Sequence, residues 1–322
     1  MSQAPAKAEA AAWQAKPKPT AQTQTFRYLR RFWPLYVMLV PGVLYFLVFK
    51  YVPLLGSVIA FQDYNIYGGF FNSEWVGFKW FQQFFAYVNF RRLLWNTLAI
   101  SFYQLIFAFP APIILAILLN EIRSMVLRRT IQTIVYLPHF LSWIIIAGFG
   151  YMLLSPQIGL INTMIKAFGF EPIFFLQEPG WFRFIVVGSG IWKEMGWSAI
   201  VFLAAISGIS PTLYEAARID GAGRWKQMLH ITLPGMLPAI MLLLLLKIGH
   251  ILDLGFEQIY VFLNPITFEV GDVIDTYAFR EGIIRGEYSK TTAIGLFKSV
   301  VGFALLIIAN RISRKTTGER IF

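Results

Sequence analysis

Six long apolar stretches recur along this chain, Pro34 to Ala60, Leu93 to Leu119, Ile131 to Leu154, Phe184 to Ile206, Gly235 to Ile251 and Thr292 to Ala309. Each comes near or exceeds the roughly 20 residues a helix needs to cross the hydrocarbon core of a bilayer. Lipid offers backbone groups no partner, so stretches of this length span as helices that pair their own N–H and C=O groups. The sequence therefore predicts an all-α, polytopic membrane protein with six transmembrane helices. Composition agrees: 57 % of the 322 residues are hydrophobic and 14 % charged, where an ordinary soluble domain carries about 25 % charged residues. Pro41, Pro53, Pro110 and Pro112 fall inside these stretches. They are expected to kink the helices rather than end them, since neighbours can satisfy the freed carbonyls.

Charge placement gives the orientation. Met1 to Thr25 has no apolar period and reads as a disordered tail; the segment Phe26 to Trp33 sets Arg27, Arg30 and Arg31 among aromatics, as an anchor at an anionic membrane face does. An even number of spans puts both termini on one side. That face collects sixteen basic residues against five acids, and the opposite loops collect eight against eleven. Basic residues favour the cytoplasmic side, so both termini are expected there. The same asymmetry accounts for the formal charge of +11 through the membrane surface, with no nucleic acid. With no Cys in the chain, thiolate metal sites and cysteine nucleophiles are excluded. Phosphate-cradling glycine loops, zinc spacings and nucleophile elbows are missing as well, so no catalytic residues, metal or bound cofactor are expected on this chain.

Ionisable residues inside spans are costly and mark cavities or buried pairs. Among them are Lys193 and Glu194 in the fourth span, Lys247 and His250 at the end of the fifth with Asp253 just past it, and Lys298 in the sixth. Two readings stand. The three lysines could attract an acidic saccharide, with Trp192 and Trp197 stacking on sugar rings. Alternatively Lys193 and Glu194 pair with other helices and Lys247 pairs with Asp253. His139 and His230 have no partner visible in sequence and are read as structural.

The fourth-to-fifth loop, Ser207 to Pro234, is built as two helices. Ser210-Pro211 is a helix entry, with Ser expected to cap free N–H groups and Pro at the first position. A helix through Leu213 to Ile219 should follow. Asp220-Gly221-Ala222-Gly223 should break it, and a second helix from Arg224 should end at Leu233-Pro234. Tyr214, Ile219, Trp225, Met228 and Leu229 give this loop an apolar surface suited to a docking partner.

The loop resembles the cytoplasmic motif of permease subunits of ATP-binding-cassette importers that depend on a substrate-binding protein. That motif is E-A-A, three residues, G, nine residues, I-x-L-P. This chain has Glu215-Ala216-Ala217, Gly221, Ile231 and Leu233-Pro234 at that spacing, seven identities over twenty positions. Leu213-Tyr214 and Ile219-Asp220-Gly221-Ala222 resemble the carbohydrate-uptake branch. The long aromatic first span and the tail resemble permeases for oligosaccharides and polysaccharides, including importers of alginate.

The resemblance implies a type I importer permease fold. Residues 1–32 would be the tail and anchor, 33–92 the first span and an outer loop, 93–310 the core permease domain with a coupling loop at 207–234, and 311–322 a cytoplasmic tail. It further implies that Glu215, Ala216, Ala217, Arg218, Asp220, Gly221 and Gly223 couple to the ATPase. The translocation path would run through spans four to six, with Trp192, Lys193, Glu194, Trp197, Lys247, His250, Asp253 and Lys298 as candidates. The implied partners are a second permease, homologous or identical and with a heterodimer the expected form, two ATPase subunits carrying ATP and Mg, an outer-face saccharide-binding protein and membrane lipid. The implied place is a bacterial inner membrane. The other readings are an ion-coupled secondary sugar transporter, and a membrane enzyme acting on lipid-linked sugar with Glu194 and Asp253 as its acids.

Overall fold

The computed structural model describes residues 21–316, with side-chain surroundings from Arg31 onward. The tail expected over residues 1–20 lies outside the described residues, with Lys7, Lys16 and Lys18, as do residues 317–322 with Arg320. Residues 21–25, expected in the tail, are helical. The expected C-terminal tail is likewise helical through Thr316, because the last helix continues past Asn310.

Among the described residues four helices are long and apolar enough to cross a membrane: Arg31–Phe61, Phe90–Glu121, Arg224–Gly249 and Tyr288–Lys315. Two bent pairs, Met125–Phe140 with Trp143–Leu154 at 106° and Pro179–Ser207 with Pro211–Ile219 at 69°, bring the number to six if each pair is one span. We label them α1 (residues 21–61), α2 (Lys79–Phe85), α3 (Phe90–Glu121), α4 (Met125–Tyr136), α5 (Trp143–Leu154), α6 (Leu160–Ala167), α7 (Pro179–Ser207), α8 (Pro211–Ile219), α9 (Arg224–Gly249), α10 (Phe256–Phe262), α11 (Ile274–Phe279) and α12 (Tyr288–Thr316). A two-residue hairpin, Gln62–Asp63 against Glu74–Trp75, is the small exception to the all-helical reading among the described residues.

The first unit carries most of α1. In the second unit α7 is the central element. Its Ala199, Phe202 and Ile206 pack with Ile113 and Ala116 of α3 and Met236 of α9. Toward its other end Phe182 and Val186 pack with Ile100, Ala147, Ile259 and Phe262. At Gly196 the approach to α4 is so close that a Cβ would stand 2.0 Å from the Val135 carbonyl oxygen.

Three of the prolines are absorbed by a repeated device. Pro53, Pro110 and Pro234 each follow a π-turn, at Leu47–Tyr51, Gln104–Ala108 and Met228–Thr232. In each case the residue before the proline donates its N–H five residues back, Val52 to Leu47, Phe109 to Gln104 and Leu233 to Met228. The wider turn lets the helix run on where a proline ring would collide with a regular one. For this reason the second loop helix does not end at Leu233-Pro234, as expected, but continues as α9 to Gly249. The third span departs the other way. Expected as one helix over Ile131 to Leu154, it breaks at the 3-10 turn Leu137–Phe140, where Pro138 stops the ladder and the Ser142 side chain caps α5 by accepting from the Ile145 N–H.

The segment from residue 252 to 291 is pinned to the spans by a buried polar network. Asp272, 1 % exposed, accepts from Arg280 Nη2 at 2.9 Å and Nη1 at 3.2 Å, and from Thr276 Oγ1 at 2.7 Å. Asn96 of α3 donates to the carbonyls of Asp272 and Glu269, each at 2.9 Å, and accepts from Arg183 of α7 at 2.9 Å. Removing one member of a buried pair strands the other, which costs about 3–5 kcal/mol. Asp272→Ala is therefore expected to lower thermal stability in detergent sharply, read by tryptophan fluorescence, whereas Asp63→Ala, at the exposed Lys79 pair, should shift it by at most about 1 kcal/mol.

Candidate functional site

The intramembrane charges form two groups. In the first, Lys193 of α7 points into the break of the third span. It is 7 % exposed and donates to the backbone carbonyls of His139 at 2.6 Å and Leu141 at 2.7 Å. These are carbonyls that the break frees from helical pairing. Glu194 Oε2 meets His139 Nδ1 at 2.8 Å, with Lys193 3.7 Å from its other oxygen. Trp197 lies flat on the His139 ring, 4.5 Å between centroids and 2° between planes. His139, without an expected partner, is thus a member of this group. Among the described residues His230 bonds the Lys226 carbonyl within its own helix.

The second group sits at the end of α9. That helix stops at Gly249, so His250 and Asp253 leave its face and turn toward each other, Nδ1 to Oδ2 at 3.1 Å. Lys298 of α12 bridges Asp253 at 2.5 Å and Asp275 at the start of α11. The expected Lys247–Asp253 pair does not form. Lys298 takes the carboxylate, and Lys247 donates instead to Gln104 Oε1 of α3 at 3.2 Å.

Both groups border one cavity of about 560 Å³ between α3, α5, α7 and α9. Glu194, Lys247, His250 and Asp253 line it, whereas Lys193, Lys298, Trp192 and Trp197 do not. Trp192 and Trp197 are 44 % and 45 % exposed elsewhere. The aromatic wall comes from Trp143, Phe109 and Phe202. Trp143 and Gln104 were invisible to a search for charged residues in spans. The π-turn opening at Gln104 just ahead of Pro110 is the sequence-adjacent signal that could have marked it.

The 207–234 loop has a defined geometry. α8 ends in a Schellman turn: Ala222 N–H reaches the Ala217 carbonyl at 2.8 Å and Gly221 N–H the Arg218 carbonyl at 3.1 Å, with Gly221 at φ +74°. Any L side chain there would be strained. Ser210, expected to cap α8, bonds the Thr212 hydroxyl at 2.7 Å instead. Tyr214 Oη meets Thr232 Oγ1 at 2.9 Å and ties α8 to α9. Arg224 stands 3.8 Å from Glu121 at the end of α3, beside a concavity of about 840 Å³ that Glu215 and Arg218 also line. Glu215 has no hydrogen bond or ion pair within the described residues, and Ile219 and Trp225 are 87 % and 74 % exposed.

Residues 108–318 match the family described as binding-protein-dependent transport system inner membrane component. The chain belongs to this family. As an inner-membrane permease of that kind it is a non-catalytic subunit, and the ATPase of such a system is a separate chain. The permease is 50 % identical over 288 residues to protein LplB of Bacillus subtilis, covering 89 % of this chain and 91 % of that one. It is 48 % identical over 288 residues, 89 % and 90 % of the two chains, to the polygalacturonan/rhamnogalacturonan transport system permease protein YteP of the same organism. A chain in the crystal structure of a bacterial alginate ABC transporter, in complex with an alginate pentasaccharide-bound periplasmic protein, superposes with a TM-score of 0.83 at 42 % identity, covering 92 % of the permease and 99 % of that chain. The enzymatic alternative has little to work with: Glu194 and Asp253 each have a lysine and a histidine ring as partners.

Lys193→Met would leave the carbonyls of the third-span break without their donor inside the bilayer. The permease variant is expected to lose about 2–4 kcal/mol of stability, and trypsin should cut it faster at Arg128 and Arg129 of the neighbouring α4.

Proposed function

We propose that the permease forms one half of the membrane channel of an ATP-driven importer of oligosaccharides or polysaccharides, acidic ones included. The cavity between α3, α5, α7 and α9 is part of its path, with Lys193 and Lys298 supporting its walls. Similarity to permeases and transporters whose names specify polygalacturonan, rhamnogalacturonan and alginate supports the substrate class. A second permease, most simply a heterodimer partner, closes the other half. A saccharide-binding protein docks on the outer loops, two ATPase subunits carry ATP and Mg, and both termini face the cytoplasm by the distribution of basic residues.

The observation that carries the coupling is the loop. α8 is a rigid two-turn helix, locked by the Gly221 turn and the Tyr214–Thr232 bond, and it offers an unpaired carboxylate beside bare apolar residues. Such a helix seats in a cleft of the ATPase, with Glu215 to Ala217 and Arg218 at the contact. Asp220, Gly221 and Gly223 set its angle. Movement of the ATPase pair then reaches α7 and α9 directly, because the loop joins them.

The test is purification from native membranes in mild detergent, with every stoichiometric partner identified, for the wild type and a Glu215→Ala/Gly221→Pro double variant. The wild type is expected to bring down an ATPase and a second permease, and the variant to keep the second permease while losing at least about tenfold of the ATPase, a loss of about 1.4 kcal/mol in binding. Equal recovery of ATPase with both would remove the loop from the coupling.

A further inference from the structure

We propose that Lys247 is the residue that lets the cavity favour acidic over neutral saccharides, its ammonium receiving a carboxylate of the passing sugar acid. The proposal rests on the saccharide-importer reading and adds to it the group that discriminates.

Three lysines stand in the spans around the cavity, and the structure separates them. Lys193 is spent on two backbone carbonyls and lies beside Glu194. Lys298 is spent on two carboxylates, Asp253 and Asp275. Neither lines the cavity. Both carboxylates that do line it already have a lysine partner, Glu194 with Lys193 at 3.7 Å and Asp253 with Lys298 at 2.5 Å, and each also meets a histidine ring. Lys247 is left over. It faces the cavity, and among the described residues its only hydrogen-bond partner is the uncharged Gln104 amide oxygen, at 3.2 Å.

An ammonium that touches no carboxylate is expensive in a membrane cavity walled by Phe109, Phe202, Leu243 and Leu246. Cations so placed are paired or functional, and among the described residues this one has no carboxylate within 4.0 Å; its hydrogen bond goes to an amide oxygen. A sugar carboxylate supplies the missing partner. Charge-assisted hydrogen bonds are about twice as strong as neutral ones, so the carboxylate displaces Gln104 rather than competing with it evenly. The geometry suits a sequential pathway. Gln104 holds the ammonium between passages, and its position on the π-turn Gln104–Ala108 turns its amide toward α9. Trp143 in the same wall offers a flat apolar face to a pyranose ring.

The experiment uses the complete transporter with its binding protein in proteoliposomes, offered an oligogalacturonate and, separately, its methyl ester. Every variant meets the same binding protein, so changes in the ratio of acidic to esterified import belong to the permease. Lys247→Gln is expected to lower that ratio about 10- to 100-fold, the range of one hydrogen bond to a charged group, and Lys247→Arg to retain it. Gln104→Glu gives the lysine an internal counter-charge without removing it and should lower the ratio in the same way; it decides the matter if Lys247→Gln fails to assemble with the ATPase. An unchanged ratio in Lys247→Gln and Gln104→Glu overturns the proposal, as does a wild type that imports both sugars without preference; in either case the importer reading stands. A wild type that moves neither sugar, with ATP and binding protein present, overturns the importer reading and this proposal together.

Discussion

Hydrocarbon donates and accepts no hydrogen bonds, so each backbone group freed inside the bilayer must be met by the protein itself. Much of this structure answers that one constraint. Where Pro53, Pro110 and Pro234 remove a donor, a π-turn moves the preceding N–H to a carbonyl five residues back and the helix continues. Where Pro138 breaks the third span outright, the Lys193 ammonium takes the carbonyls of His139 and Leu141. The lysine is thus bound up in the backbone of a neighbouring helix, and its charge is balanced by Glu194. A polar residue that looks like a substrate contact in a list of charges is, in the fold, part of the wall.

The same reasoning sorts the remaining charges. Lys298 holds three elements together by bridging the turn after α9 to the start of α11. Asp272 does the same for the segment from residue 252 to 291 through Arg280, Thr276 and the Asn96–Arg183 bond. Packing centres on α7, which meets α3 along its length and closes on α4 at Gly196. Because α7 runs into α8, and α8 is tied back to α9 by Tyr214 and Thr232, force applied to the exposed loop is delivered to the helices that wall the cavity.

The spans and the loop were legible in the sequence because they rest on local signals. Long apolar runs, proline positions and the Glu215 to Pro234 spacing need no knowledge of what lies across the fold. The break at residues 137–142 was not legible, since hydropathy averaged over Ile131 to Leu154 stays high through it. Partnerships were also hidden. Lys247 and Asp253 look well placed on one helix face, but α9 ends at Gly249, and the lysine's partner lies 143 residues away on α3. Trp143 and Gln104 carry no charge, so the placement of charges does not mark them. Asp275 lies outside every span, yet it holds Lys298.

Coupling through the loop can be tested directly because the chain contains no native cysteine. A single cysteine at Ile219, on the exposed face of α8, can be probed with a short bifunctional reagent in native membranes, beside one at Val88, 93 % exposed in the loop between α2 and α3. The account predicts that Ile219→Cys cross-links to an ATPase subunit, with a yield that changes when ATP is added, and that Val88→Cys does not. Cross-linking of neither position to an ATPase, in membranes where that ATPase is present, would contradict it.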